Sequence, residues 1–62
     1  MNIYCVAWEQ SGEYNLSAVS IAEDADTALK AVDMYEPENV RVFKIGVADP
    51  GIRAQLICKE SL

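Results

Sequence analysis

A chain of 62 residues has room for one domain and too little volume for a closed substrate pocket. Its net charge of −5, from ten acidic and five basic residues, disfavours direct nucleic-acid binding, which needs a clustered positive surface. With no histidine and only two cysteines, it is expected to have no metal or other cofactor and no dense disulfide framework. We therefore expect a single small domain over residues 1–62.

The first predicted strand runs from Asn2 to Glu9 and is apolar on both faces. Its two alternating sets are Ile3, Cys5 and Ala7, and Tyr4, Val6 and Trp8. A strand in an open two-layer sheet usually shows one polar face. Either the chain itself covers both faces of this strand, or a partner covers one of them.

The second predicted strand runs from Tyr14 to Ala22, after a turn at Gly12. Its apolar pattern is weaker than that of the first strand. The polar residues Asn15 and Ser20 favour a position at the edge of the sheet.

One helix is predicted from Asp24 to Tyr35. An apolar stripe at helical spacing defines it: Ala25, Ala28, Leu29, Val32 and Tyr35. Asp24 is the predicted N-cap, because its carboxylate can accept a hydrogen bond from a free amide of the first turn. Pro37 ends the helix by forcing the residue before it out of helical geometry.

The third predicted strand runs from Asn39 to Ala48. Its apolar residues change parity between Val42 and Phe43, which is typical of a β-bulge. Gly46 could instead mark the close approach of another backbone or a large side chain. Both explanations stay open at this point.

The segment Ala48-Asp49-Pro50-Gly51 is the strongest turn signal, and its Pro-Gly pair predicts a type II turn. A fourth strand, from Ile52 to Lys59, would follow it and form a hairpin with the third strand. The chain is then an α+β domain of order ββαββ, with a mainly antiparallel four-stranded sheet and the helix on one face. We favour the strand order 2-1-3-4. The alternative, 2-1-4-3, would bring Cys5 and Cys58 within reach of each other.

One helix covers only one face of such a sheet, so an apolar face would remain exposed. An exposed patch of that size predicts a protein interface, and we expect a homo-oligomer, most simply a dimer. The predicted interface residues are Tyr4, Val6 and Trp8, with Phe43 and Ile57 contributing. The competing interpretation is that Tyr4 and Trp8 flank a turn and are half-exposed, which is ordinary for single aromatic residues.

Acidic residues concentrate around the helix. Six of the ten lie within residues 23–38: Glu23, Asp24, Asp26, Asp33, Glu36 and Glu38. A second hypothesis is therefore an inhibitor or adaptor that docks a basic protein, in its sharper form by imitating the charge of nucleic acid. Its contact residues would be Asp26, Asp33, Glu36 and Glu38. The simpler interpretation is a solvated helix face.

Catalysis is not expected. Cys5 and Cys58 have no histidine to activate them, and the three glycines are isolated rather than grouped in a phosphate-binding loop. The sequence shows neither a signal peptide nor an apolar run of the roughly 20 residues that span a membrane. We expect a cytoplasmic, non-catalytic interaction module without membrane contact.

Overall fold

The protein is described from a computed structural model that covers the backbone of residues 1–61 and the side chains of residues 1–57. Its elements are β1 (Asn2–Gln10), β2 (Tyr14–Ala22), α1 (Ala25–Ala31), β3 (Pro37–Val47) and β4 (Gln55–Ser61). All strand pairs are antiparallel, and the sheet order is β3-β1-β2-β4. The predicted α+β fold, with one helix on a four-stranded antiparallel sheet, is confirmed.

The position of β4 corrects the predicted strand order. β1 lies between β2 and β3 as expected, but β4 pairs with β2 on the far side of the sheet. Both 2-1-3-4 and 2-1-4-3 are therefore wrong, and β3 and β4 form no hairpin. The connection, residues 48–54, can extend over about 23 Å, whereas three strand spacings amount to about 14 Å.

Two hydrogen bonds show how this connection leaves β3. The amide of Ala48 donates to the carbonyl of Met1 at 2.9 Å, which directs the chain across the end of β1. The amide of Ile52 donates to the carbonyl of Asp49 at 3.0 Å, so a turn does form around Pro50 and Gly51. Gly51 does not have the positive φ of a type II turn. The turn redirects the chain without pairing the strands on either side of it.

The helix is shorter than predicted. α1 ends at Ala31, and Val32 is already extended, with φ −93° and ψ 121°. Its stripe continues into the core only as far as Val32, because Tyr35 is 65% exposed. A helix that ran to Tyr35 would leave a single residue to connect it to the start of β3 at Pro37. Because the helix ends at Ala31, an extended segment is available to span the distance to β3.

The predicted N-cap is confirmed. Oδ1 of Asp24 accepts a hydrogen bond from the amide of Thr27 at 2.8 Å, and this bond lowers the pKa of Asp24 below its ordinary value. The unfolded chain therefore takes up this proton at a higher pH than the folded chain. The stabilisation is complete above the ordinary aspartate pKa and is lost as the pH falls through the folded-state pKa.

Asp24→Asn is expected to make the free energy of unfolding less sensitive to acid, because asparagine caps a helix without titrating. The measurement is urea unfolding of both proteins between about pH 6 and about pH 3. The other carboxylates are common to both chains and cancel in the comparison. If the free energy of unfolding changed equally with pH in both proteins, the capping role of the Asp24 charge would be contradicted.

The core lies between α1 and one face of the sheet. β1 contributes Tyr4, Val6 and Trp8, while α1 and the residue after it contribute Ala28 and Val32, all buried. β2 adds small residues to the same face: Ala18, Ser20 and Ala22. The helix therefore covers the face that carries the largest side chain of the protein, Trp8, which gains most from leaving water.

β3 contains register shifts, although not where the parity of its apolar residues changes. They lie opposite Ile3/Tyr4 and opposite Ala7/Glu9 and flank a regular stretch, residues 41–44. Val42 and Phe43 are consecutive residues of a regular stretch and therefore face opposite sides of the sheet. The apolar pattern changes parity there because both sides of the sheet are apolar. A Cβ on Gly46 would lie 3.6 Å from Cδ1 of Ile3, an ordinary contact, so Gly46 is close to a large side chain without needing to be glycine.

Ser20 is fully buried, and its hydroxyl has no hydrogen-bond partner among the described residues. Ser20→Ala is expected to raise the free energy of unfolding by about 1 kcal/mol, because an unsatisfied buried hydroxyl opposes folding. Chemical unfolding measures the change, with Ser17→Ala on the opposite, partly exposed face as the matched control. A loss of stability in Ser20→Ala would show that the hydroxyl is satisfied.

Candidate protein interface: the open face of the sheet

The sheet surface opposite α1 is called the open face here. At its centre, Cys5 lies between Val19 of β2 and Phe43 of β3. Its next rows pair Ile3 with Ile21 and Gly46, and Ala7 with Ser17 and Arg41. Two further apolar residues, Ile45 and Ile57, lie at register shifts on the two sides of this face. Ile45 is the unpaired residue between Lys44 and Gly46 of β3, and Ile57 is the unpaired residue between Leu56 and Cys58 of β4.

Exposure on the open face is greatest at its two sides. Phe43 is 53% exposed, Ile45 58% and Ile57 51%. The central residues Ile3 and Cys5 are half-buried, and Ile21 beside Ile3 is buried, with 8% of its surface exposed. The described chain thus carries an apolar sheet surface that its single helix does not cover.

At one end of the open face, a shallow depression is lined by Glu9, Asn15, Asn39, Val40 and Arg41. At the other end, the exposed Gln55 pairs with Ile21. The carboxylate of Glu9 accepts a hydrogen bond from the side-chain amide of Asn39. Nε of Arg41 donates to the backbone carbonyl of Asn39 at 3.2 Å. These bonds hold the polar end in place and leave the middle of the face apolar.

The predicted interface residues divide between the two faces. Tyr4, Val6 and Trp8 lie beneath α1, so their assignment to an exposed interface is wrong, as is the reading of Tyr4 and Trp8 as half-exposed turn residues. Phe43 does lie on the open face, and Ile57 lies at the register shift of β4 beside it. Sequence reasoning missed the rest of that face: Ile3, Cys5, Val19 and Ile21.

A signal for the correct face was present in the helix. Ala28 of α1 is fully buried against Tyr4. A small helix side chain leaves space that a large sheet side chain must fill to reach normal packing density. Complementary volume therefore pairs Ala28 with Tyr4, and the rest of the same β1 set, Val6 and Trp8, packs with Val32 and Leu29.

The acidic residues of the second hypothesis do not form one patch. Asp26 is exposed in the first turn of α1, near the end of the sheet where β2 finishes. Glu36 and Glu38 lie at the other end, where β3 begins opposite Gln10 and Glu9. Asp33 is exposed just after the helix. Glu36 and Glu38 lie close together in the sequence at the start of β3, and Oε2 of Glu36 accepts a hydrogen bond from Oγ of Ser11 at 3.4 Å.

The cysteines are separated by the observed strand order. Cys5 and Cys58 pair with Val19 from its two sides, so their Cα atoms are two strand spacings apart. That distance is about 10 Å, beyond the roughly 7 Å that a disulfide spans. Within the part of the chain that the structure describes, no three Cys, Asp or Glu residues are grouped to hold a metal ion. No described helix has the length and apolarity needed to cross a membrane.

Comparisons with known protein families, with curated proteins and with solved structures found no match for this chain. The candidate site is therefore defined by its own geometry and chemistry.

Proposed function

We propose that this chain is a non-catalytic protein–protein interaction module that forms a dimer through the open face. The observation that carries the proposal is the exposure of Phe43 on the sheet surface opposite α1, with Ile45 and Ile57 exposed at the register shifts on the two sides of that surface. Apolar surface of this kind is stabilised when a complementary surface removes it from water. A cytoplasmic location belongs to the same proposal, since a free Cys5 on this face suits a reducing compartment.

The distribution of charge favours a second copy as the occupant. Each chain carries a net charge of −5, so two copies repel at long range. The acids of residues 23–38 lie on or around the helix and at one end of the sheet, whereas the middle of the open face is uncharged. Two open faces can meet while both helices, with their acids, point outward into solvent.

The size of the face sets the expected strength. Four strands with seven residues each cover a footprint of about 400 Å². The solvent-accessible area buried is larger than this flat footprint, because side chains project from the sheet, but it stays near or below the roughly 600 Å² that the smallest specific interfaces bury on each partner. We therefore expect a dissociation constant in roughly the micromolar range and a protein that is monomeric when dilute.

Sedimentation velocity tests the proposal over protein concentrations from about 5 to about 500 µM. We expect a concentration-dependent rise from monomer to dimer mass, and a stronger rise in about 500 mM NaCl than in about 20 mM, because salt screens the repulsion between like-charged copies. A monomer at every concentration and salt level would overturn the proposal.

The reactivity of Cys5 locates the contact. Cys5 lies at the centre of the open face, so dimerisation should shield its thiol from alkylation. The measurement uses Cys58→Ser, which leaves one reactive thiol, and follows the rate of iodoacetamide labelling as the protein is concentrated. We expect the rate constant to fall in step with dimer formation. A rate constant that stays the same while the mass doubles would place the contact elsewhere.

The acidic adaptor is the second candidate, in a narrower form. The observation that favours it is the neighbouring pair Glu36 and Glu38 at the end of the sheet that also carries Glu9. Binding of a basic protein there would weaken as salt rises, because it depends on exposed charges. The sign of the salt effect therefore separates this function from dimerisation through the open face.

A further inference from the structure

β3 lies at one edge of the described sheet, with β1 as its neighbour on the inner side. Between its two register shifts, residues 41–44 pair one to one with β1: Arg41 with Ala7, Val42 with Val6, Phe43 with Cys5 and Lys44 with Tyr4. On the outer side of this stretch, alternate residues turn their N–H and C=O groups away from the sheet. A regular four-residue edge with a cation at each end is thus presented to solvent.

We infer that this edge binds an extended segment of a different protein by strand addition, with the pattern acid–apolar–apolar–acid. Backbone hydrogen bonds to residues 41–44 would hold the segment, and its two carboxylates would lie opposite Arg41 and Lys44. Both cations are exposed. Arg41 uses Nε for the carbonyl of Asn39, which leaves its two terminal nitrogens for a carboxylate. The inference goes beyond the proposed dimer, because face-to-face packing of two sheets leaves this edge free.

Geometry argues against a second copy as the occupant of this edge. An antiparallel pairing of β3 with itself must set residues of the same sheet face opposite each other, so it is centred on Val42 or on Phe43. Either register aligns only three of the four regular residues, and the register shifts on both sides prevent a longer alignment. A segment of another protein can pair with all four residues.

The same geometry specifies the spacing of the two acids. Arg41 lies on the open-face side and Lys44 on the side of the helix, because they pair with Ala7 and Tyr4 respectively. A segment opposite them must carry its acids three residues apart, one on each face, with apolar residues opposite Val42 and Phe43. Glu38 lies beyond the register shift at the start of β3 and would repel a longer acidic segment.

The probe is the capped hexapeptide Thr-Asp-Val-Ile-Asp-Thr, added to ¹⁵N-labelled protein while amide resonances are followed by NMR. We expect saturable shifts centred on residues 41–44. A peptide with lysine in place of both aspartates should bind at least about tenfold more weakly, because two opposite-charge pairs become like-charge pairs. Lys44→Glu should weaken binding of the aspartate peptide about tenfold, whereas Arg53→Glu, the same charge change in the exposed connection before β4, should not.

Three results would overturn the inference. The first is the absence of shifts at millimolar peptide. The second is equal affinity for the aspartate and lysine peptides, or for a form N-methylated on alternate backbone nitrogens, which cannot form the strand hydrogen bonds. The third is concentration-dependent broadening of residues 41–44 in protein alone, which would assign the edge to a second copy. Sedimentation reports on the open face independently, so failure of one proposal leaves the other measurable.

Discussion

Trp8→Ala is expected to leave the chain unfolded at room temperature. Trp8 is fully buried and packs in the cluster with Val6, Ala18 and Val32. Removing a buried tryptophan side chain costs about 3–5 kcal/mol. A single core in a domain of this size rarely supplies more than about 3–5 kcal/mol in total. The substitution is therefore expected to lower the free energy of unfolding to about zero.

Far-ultraviolet circular dichroism and the dispersion of amide resonances measure this outcome. Trp8→Phe, which keeps a ring in the same space, is expected to fold with reduced stability. Tyr35→Ala removes an aromatic side chain that is 65% exposed and should change stability by less than about 0.5 kcal/mol. A cooperatively folded Trp8→Ala protein within about 1 kcal/mol of the parent would contradict the placement of Trp8 in the core.

Phe43→Glu is expected to abolish the dimer while leaving the single chain folded. Phe43 is 53% exposed in the single chain, so a charged side chain there can remain in water. In the proposed dimer the same carboxylate would be buried without a partner, and the aromatic contact would be lost. We expect the dissociation constant to rise at least about thirtyfold.

Tyr35→Glu is the control, because it also replaces an exposed aromatic side chain with glutamate, at a position outside the open face. Sedimentation and thermal unfolding of both variants at one salt concentration separate the two effects. Phe43→Glu should lose dimer mass, whereas Tyr35→Glu should keep it. If Phe43→Glu sedimented like the parent protein, the open face would not be the contact between copies.

Local patterns were sufficient for most of the element list. Alternation and turn residues predicted four strands, and the stripe through Ala28 and Val32 predicted the helix between the second and third of them. The capping role of Asp24 followed from side-chain chemistry that acts within one turn. The central place of β1 followed from its two apolar faces, since only a strand with neighbours on both sides can bury that much surface.

The strand order and the end of the helix required longer-range information. Pro50 and Gly51 do form a turn, but the chain between them and β4 is long enough to cross the end of the sheet. β4 could pair with β2 or with β3, and the hydrogen bonds of either pairing join residues that are distant in the sequence. Local patterns therefore do not decide between the two. The end of α1 at Ala31 depends on the distance to β3, which no local pattern encodes.

By itself, the sequence determined the fold class, the number of elements and the presence of one apolar sheet face more than a single helix can cover. Only the tertiary structure decided which face that is. A sequence pattern of period two does not distinguish the two apolar sets of β1. They become different only in the folded chain, where Ala28 of α1 and Ala18 of β2 leave space for large side chains on one face. Tyr4 and Trp8 went into the core for that reason, and Cys5 and Phe43 remained on the surface that we propose as the interface.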